Sequence, residues 1–232
     1  MRVMLAVALL AGVAAVTPAS AANLLQNGSF ESFGAPGDFT GWTYVGNGLA
    51  PSAITYGSAT PYPTGAYGEA IPADNAVSGS PDAVGDHAAY FVSDAATQTL
   101  SQQIFLDVGV YTIGFSAYVP FNGFNNAFNA TFTGDVASVP LAVFDVDGST
   151  PGQWKQFAGV ANITTAGNYT TSFTFNSEAM PAGDVVIDRA YIVAGDVAGA
   201  VPEPAAWAMM VAGFGMIGGA LRSRKRTNVQ FA

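Results

Sequence analysis

The chain has 232 residues, of which 50% are hydrophobic and 10% are charged, with no cysteine and a single histidine. Its formal net charge of −9 provides no basic face for nucleic-acid phosphates, so we expect no nucleic-acid partner. The absence of cysteine excludes disulfide scaffolds, zinc–thiolate sites and cysteine enzymes, and the apolar fraction is large enough to build a core.

The first 22 residues are typical of a secretory signal peptide. Arg2 supplies a positive start, an uncharged run follows over Val3–Val16, and Ala19-Ser20-Ala21 offers small residues for cleavage. We therefore expect residues 1–22 to be removed and the remainder of the chain to be exported.

Residues 23–197 predict an all-β ectodomain, an antiparallel β-sandwich of the jelly-roll type. Apolar and polar residues alternate with a period of two, and turn residues separate the short segments. The Gly- and Pro-rich stretch Gly34–Gly85 predicts long loops with a few short strands. The predicted strands are Ala88–Val92, Thr99–Asp107, Tyr111–Val119, Leu141–Phe144, Phe157–Ile163, Tyr169–Phe175 and Val185–Val193.

The C-terminal region predicts a membrane anchor behind a short linker, residues 198–204. Residues 205–221 carry no charge, and as a helix they would extend about 25 Å, slightly less than the hydrocarbon core of a bilayer. A basic cluster follows directly and is typical of a stop-transfer signal, so residues 222–232 are predicted to stay cytoplasmic. Its members are Arg222, Arg224, Lys225 and Arg226.

The residues around the start of this segment resemble the PEP-CTERM sorting signal, in its variant with a W-A-M-M extension. The resemblance rests on Pro202, Glu203, Pro204, Trp207, Ala208, Met209 and Met210. It implies a Gram-negative host and recognition by an exosortase at the inner membrane. It also implies transient anchoring there, a final place at the cell surface or in the extracellular matrix, and association with exopolysaccharide.

Two further segments resemble galactose-binding-like and carbohydrate-binding-module sandwiches: Asn23–Glu31 the opening, and Val186–Ile192 the closing strand. That resemblance implies a structural Ca²⁺ held by Glu31 and Asp188. An unpaired carboxylate in an apolar strand is costly, and adjacent Arg189 should face the other side of the sheet. The alternative is that Asp188 faces solvent or accepts hydrogen bonds at the sheet edge.

The sequence singles out no catalytic residue. His87 is the only histidine, no G-x-S-x-G elbow is present, and no spacing marks a glycosidase pair among the carboxylates. Trp42, Tyr44 and Trp154 are candidates for stacking on sugar rings, with core packing as the alternative. Three hypotheses follow: a non-enzymatic matrix protein, a carbohydrate-binding module with a defined glycan, and a glycoside hydrolase or lyase.

Overall fold

The described residues of the sandwich form ten β-strands. The structure, a computed structural model, describes residues 22–47, 49–92, 97–122, 131–145, 150–176 and 184–196, together with 213, 214 and 216. The strands are β1 (Thr43–Gly46), β2 (Ser52–Thr55), β3 (His87–Phe91), β4 (Thr97–Leu106), β5 (Gly109–Tyr118), β6 (Thr131–Val136), β7 (Val139–Asp145), β8 (Trp154–Ile163), β9 (Gly167–Asn176) and β10 (Val185–Ala194).

The strands form two five-stranded sheets in which every pairing is antiparallel. The first sheet has the order β1-β4-β9-β6-β7, and the second has the order β2-β3-β10-β5-β8. The predicted sandwich is therefore confirmed, and the loop-rich stretch contributes only the short strands β1 and β2. Strand β6 was not predicted, because Gly134 and Asp135 interrupt its apolar alternation at a register shift against β7.

The main core lies between the two sheets and is rich in phenylalanine. The ring of Phe115 on β5 packs against Phe173 on β9, with ring centroids 4.9 Å apart, and against Phe132 on β6 at 6.2 Å. A Cβ added at Gly134 would lie 2.3 Å from the Phe115 ring, so only glycine fits at that point of β6. The inward-facing Phe115 of β5 thus brings the second sheet into close contact with β6 and β9 of the first.

A second apolar cluster covers the outer face of the second sheet. Residues 56–80, here called the covering segment, cross this face, and the Trp154 indole donates a 2.8 Å hydrogen bond to the carbonyl of Pro72 within it. The strands β3 and β10 of the second sheet are therefore buried on both faces. The buried members of the cluster are Ile54, Ala66, Ile71, Ala88, Tyr90, Val92, Tyr118, Trp154 and Val186.

The first and last segments of the body are both held by strands of the second sheet. Near the N-terminus, the Leu24 amide donates to the carbonyl of Ile192, and the Ala190 amide donates to the carbonyl of Gly28, both at 2.8 Å. Near the C-terminus, Gly195 donates its amide to the Val110 carbonyl at 2.8 Å. The second sheet therefore holds both ends of the body, the first segment through β10 and the last through β5.

Most of the predicted targeting segments lie outside the described residues. This applies to residues 1–21, to the sorting residues Pro202, Glu203, Pro204, Trp207, Ala208, Met209 and Met210, and to the basic cluster Arg222, Arg224, Lys225 and Arg226. Within the predicted anchor, Gly213, Phe214 and Met216 have helical backbone. Across the described part of the chain, no helix has the length and apolar character needed to cross a membrane.

We predict that Phe115→Ala lowers the free energy of unfolding by about 3–5 kcal/mol, because it opens a cavity between the sheets. Urea unfolding followed by tryptophan fluorescence measures the change. Phe105→Ala is the matched control, because this phenylalanine is 59% exposed, and we expect a change within about 0.5 kcal/mol. Equal losses in the two variants would contradict the assignment of Phe115 to the core.

Candidate functional site

Asp188 on the closing strand β10 is fully buried in the second sheet, which is unusual for a carboxylate. Its Oδ2 accepts a 2.6 Å hydrogen bond from the Tyr56 hydroxyl, and its Oδ1 accepts one from the Arg189 amide, also at 2.6 Å. The pairing of β10 with β5 shifts register between Asp188 and Tyr191, and Arg189 has a φ of 46°. This β-bulge turns the backbone so that two neighbouring polar residues are both accommodated.

The Arg189 side chain pairs with another carboxylate, Asp74 of the covering segment, on the same side of the sheet as the Asp188–Tyr56 contact. The expectation that Asp188 and Arg189 face opposite sides is therefore wrong, because the register shift of the bulge interrupts the alternation. The Arg189 Nε donates to Oδ2 of Asp74 at 2.6 Å, and its Nη2 donates to the Ala76 carbonyl at 2.8 Å. Both side chains of this ion pair are almost completely buried. The guanidinium therefore joins β10 to the covering segment.

Burial raises the pKa of Asp188 to about 8, chiefly because the ionised form loses its hydration. The two hydrogen bonds that it accepts and the nearby guanidinium lower this pKa, while the Asp74 carboxylate raises it. Burial also raises the pKa of Tyr56, and the adjacent Asp188 carboxylate adds to the increase. The Tyr56 hydroxyl therefore remains a donor across the physiological pH range.

Two more tyrosine–carboxylate pairs lie beside this outer face. The Tyr90 hydroxyl donates to Asp184, which is also fully buried, and the Tyr118 hydroxyl donates to Glu69 at 3.0 Å. Burial raises the pKa of both tyrosines. In each pair the hydroxyl and the carboxylate satisfy each other's hydrogen-bonding capacity. The Tyr118–Glu69 bond also ties the covering segment to the second sheet.

Glu31 has different partners from Asp188. Its Oε1 accepts hydrogen bonds from the amides of Asp86 and His87, at 3.0 and 2.8 Å, and its Oε2 lies 3.0 Å from Nδ1 of His87. The His87 ring also packs against Phe33, with ring centroids 4.8 Å apart. Glu31 thus fixes the start of β3 and orients the only histidine of the chain.

The implied calcium site is not assembled by these contacts. Both oxygens of Asp188 and both oxygens of Glu31 already have protein partners, and the two residues share none of them. Among the residues that the structure describes, no three side chains of His, Asp or Glu lie close enough together to hold a metal ion. Calcium stays a prediction of the resemblance, and no function below depends on it.

Two of the three candidate stacking residues are packed within the protein. The Trp42 ring lies between Phe30 and Phe173, at centroid distances of 5.3 and 5.6 Å, and its Nε1 donates to the Asn27 carbonyl. Tyr44 is half-buried on the edge strand β1 and packs against Gly37. Trp42 is therefore part of the main core, and Tyr44 packs against it from the edge of the first sheet.

Trp154 lines a cavity of about 300 Å³ at the start of β8. The other lining residues are Pro72, Asn75, Gly152 and Gln153, so the covering segment forms one wall. Asn75 and Gln153 are exposed and offer amide donors and acceptors. Sequence reasoning found Trp154 but missed these two amides, because they are distant in sequence and carry no motif.

The sequence was compared with protein-family models, and the PEP-CTERM protein-sorting motif matches residues 200–225. The chain carries a PEP-CTERM sorting motif. The matched residues include every sorting residue predicted above and most of the basic cluster. The PEP-CTERM motif indicates a substrate of an exosortase, with export and transient membrane anchoring as its consequences. A comparison with curated proteins found no match.

Solved structures similar to this chain include several carbohydrate-binding modules. TmCBM61, solved in complex with β-1,4-galactotriose, is 18% identical and has a TM-score of 0.47, over 75% of this chain and 99% of that chain. The CBM22-1–CBM22-2 tandem of Xyn10C from Paenibacillus barcinonensis is 14% identical with a TM-score of 0.41, over 81% and 50%. A CBM4 structure is 15% identical with a TM-score of 0.35, over 74% and 99%.

We predict that Asp188 makes the protein less stable as the pH rises from about 4 to about 8. In this window the folded state keeps a proton on Asp188, while the unfolded state, with an ordinary pKa of 3.8, releases it. The free energy of unfolding therefore falls with pH, by at most about 1.4 kcal/mol per pH unit from this group.

Asp188→Asn removes the titrating group and keeps the shape of the side chain, so this part of the pH dependence should disappear. Urea unfolding at pH 4.5 and pH 7.5 measures it for both proteins. Asp107→Asn, at an exposed aspartate in the turn after β4, is the matched control and should keep the wild-type slope. An unchanged slope in Asp188→Asn would contradict the raised pKa.

Proposed function

We propose that the protein is a non-enzymatic surface or extracellular-matrix protein that is exported, processed by an exosortase and associated with exopolysaccharide. The observation that carries this proposal is the PEP-CTERM motif at residues 200–225. The motif begins five residues after Gly195, whose amide donates a hydrogen bond to Val110 of the sandwich. A folded body followed closely by a sorting signal is suited to a protein whose role depends on where it is delivered.

The environment of the acidic residues supports a non-enzymatic role. Three aspartates of the described residues, Asp74, Asp184 and Asp188, are buried, and each has a hydrogen-bond partner. A glycosidase needs two carboxyl groups that flank a bound sugar, one of them able to donate a proton. Asp188 has a raised pKa, but the covering segment separates it from solvent, so it does not meet this requirement.

The outer face of the first sheet supports association with a neutral polysaccharide. Along the middle of strands β4 and β9 its side chains are hydroxylated or amide-bearing, and the two strands align them in rows across the sheet. Val45 on β1 and Phe105 near the end of β4 are exposed apolar side chains on the same face. Such a face exchanges hydrogen bonds with sugar hydroxyls and carries few charges. The polar residues are Thr99, Ser101 and Gln103 on β4, and Thr170, Ser172 and Thr174 on β9.

The net charge of the exported body favours a neutral polymer over an acidic one. Residues 22–201 contain 15 acidic and two basic residues, which gives a formal charge of −13. This charge repels anionic polysaccharides at low salt and keeps the body soluble. The neutral rows of hydroxyl groups are therefore the surface best suited to contact with the matrix.

We predict that replacing Pro202, Glu203 and Pro204 with alanine prevents processing. In cells that contain an exosortase, the variant should accumulate as a longer, membrane-bound form, which intact mass spectrometry distinguishes from the mature protein. A triple-alanine variant at Thr227, Asn228 and Val229, outside the matched residues, is the control and should be processed like the wild type. Normal processing of the first variant would overturn the role of the motif.

The Trp154 cavity favours a second candidate, a carbohydrate-binding module with a defined glycan ligand. The cavity combines one edge of an aromatic ring with two exposed amides, the mixture of apolar surface and directed polar groups that sugar sites use. Trp154 itself is held by Tyr118, Tyr56 and the Pro72 carbonyl, so its orientation is fixed. This candidate differs from the first because it requires saturable binding of one glycan.

For this second candidate, we predict that Gln153→Ala weakens binding of a neutral polysaccharide about fivefold, the loss of roughly one hydrogen bond. Binding isotherms on immobilised polysaccharide measure the change. Gln103→Ala, at an exposed glutamine on the outer face of the first sheet, is the matched control. Weaker binding in Gln103→Ala alone would place the contact on the hydroxylated face and reject the cavity.

A further inference from the structure

Exposed apolar side chains concentrate at one end of the sandwich, around the turn that joins β4 to β5. Phe105 is 59% exposed and Val108 is 65% exposed, and Val110 and Val160 are also exposed. Val110 and Val160 lie on the outer face of the second sheet, Phe105 lies on the outer face of the first, and Val108 lies in the turn between them, so the four residues surround the end of the sandwich. We call these four residues the exit tip. Exposed apolar residues are ordinary when scattered, but a group at one end indicates a contact surface.

The chain leaves the sandwich beside this exit tip. Gly195 is held there by its own amide, which donates to the Val110 carbonyl, and by the Thr112 hydroxyl, which donates to the Gly195 carbonyl at 2.8 Å. Gly195 also forms a parallel bridge with Tyr111. Gly195 is therefore fixed at the apolar end of the body.

The distance from this point to the predicted anchor is short. Nine residues lie between Gly195 and Ala205, where the uncharged run begins, so even a fully extended backbone spans at most about 36 Å. A ten-residue strand of the sandwich measures about 33 Å. While residues 205–221 are held in a membrane, the exit tip stays within about one strand length of the bilayer.

The charges near the exit tip favour an apolar contact over an electrostatic one. Asp107 is the acidic residue of the turn itself. The two basic residues of the body lie elsewhere, because Lys155 pairs across the sheet with Ala117 near the opposite end and Arg189 is buried. Aromatic and aliphatic side chains next to a tether insert into the headgroup region without needing anionic lipids.

We propose that the exit tip rests on the lipid surface of the membrane before the protein is processed, and so orients the body on its anchor. The inference depends on the proposed function, because it requires residues 205–221 to be held in the bilayer. The tether keeps the local concentration of lipid high, so a few apolar side chains are sufficient for contact. In this orientation the opposite end of the sandwich, with the Trp154 cavity, points away from the membrane.

Site-specific labels on the full-length chain test this proposal, because the chain contains no cysteine and single cysteines are therefore unique. Phe105→Cys labels the exit tip. Phe121→Cys, at a phenylalanine that is 63% exposed beyond the other end of β5, is the matched control. Gly213→Cys labels the predicted anchor. Each variant carries an environment-sensitive fluorophore and is reconstituted in phosphatidylcholine vesicles with and without a lipid spin-labelled near the headgroup.

We expect the spin-labelled lipid to lower the emission of the Phe105 label at least twofold, while the Phe121 label changes little. A Val108→Cys label repeats the measurement if Phe105→Cys fails to fold, and it should be quenched to a similar extent. Equal quenching at positions 105 and 121, or none at 105 and 108, overturns the proposal. The same holds if the exit tip is quenched only when an exosortase is added, since the partner would then be a protein.

The Gly213 label separates failure of this inference from failure of the proposed function. If the Gly213 label lies in the bilayer and the exit tip is not quenched, the chain is anchored and only the orientation is wrong. If the Gly213 label stays in water, the anchor itself is absent, and both the inference and the anchoring step of the proposed function are rejected.

Discussion

The buried ion pair between Arg189 and Asp74 is the constraint around which the second sheet is organised. Arg189 is the buried cation of the described sandwich, and it lies on the central strand β10 at a bulge. Without Asp74 the guanidinium would be an uncompensated buried charge, which typically costs 3–5 kcal/mol. The covering segment must therefore cross the sheet where Asp74 meets Arg189. That crossing buries Asp188, aligns Tyr56 with it and shapes one wall of the Trp154 cavity.

Much of the fold could be predicted from the sequence, because a half-buried strand records its environment in every second residue. The alternation of Leu100, Gln102 and Leu106 with polar residues placed β4 correctly, and even the buried polar Gln102 lies on the predicted face. Its amide group holds the backbone of Gln26 through two hydrogen bonds. Strand β6 was missed because a glycine required by the Phe115 ring removes the apolar signal at that position.

The site was less predictable than the fold, because its contacts join residues that are far apart in the chain. Asp188 was recognised as costly in an apolar strand, but the sequence does not show that Tyr56, 132 residues away, donates to it. The sequence does not distinguish Trp42 from Trp154 as candidates for sugar stacking. In the structure, Trp42 is enclosed by Phe30 and Phe173, whereas Trp154 borders a cavity. Only the sorting motif is fully local in sequence, and it was recognised in full.

The central place of β10 also has a consequence for the order in which the protein is made. A chain exported from its N-terminus delivers β3 and β5 long before β10, yet these two strands flank β10 in the finished sheet. The opening segment around Leu24 also bonds to β10, so it cannot take its final position before that strand has emerged. The second sheet is thus completed only when nearly all of the body has emerged, a few residues ahead of the sorting motif. The motif therefore reaches the membrane at about the time when the second sheet can first be completed. An enzyme that recognises the motif then encounters a body whose last central strand has only just become available.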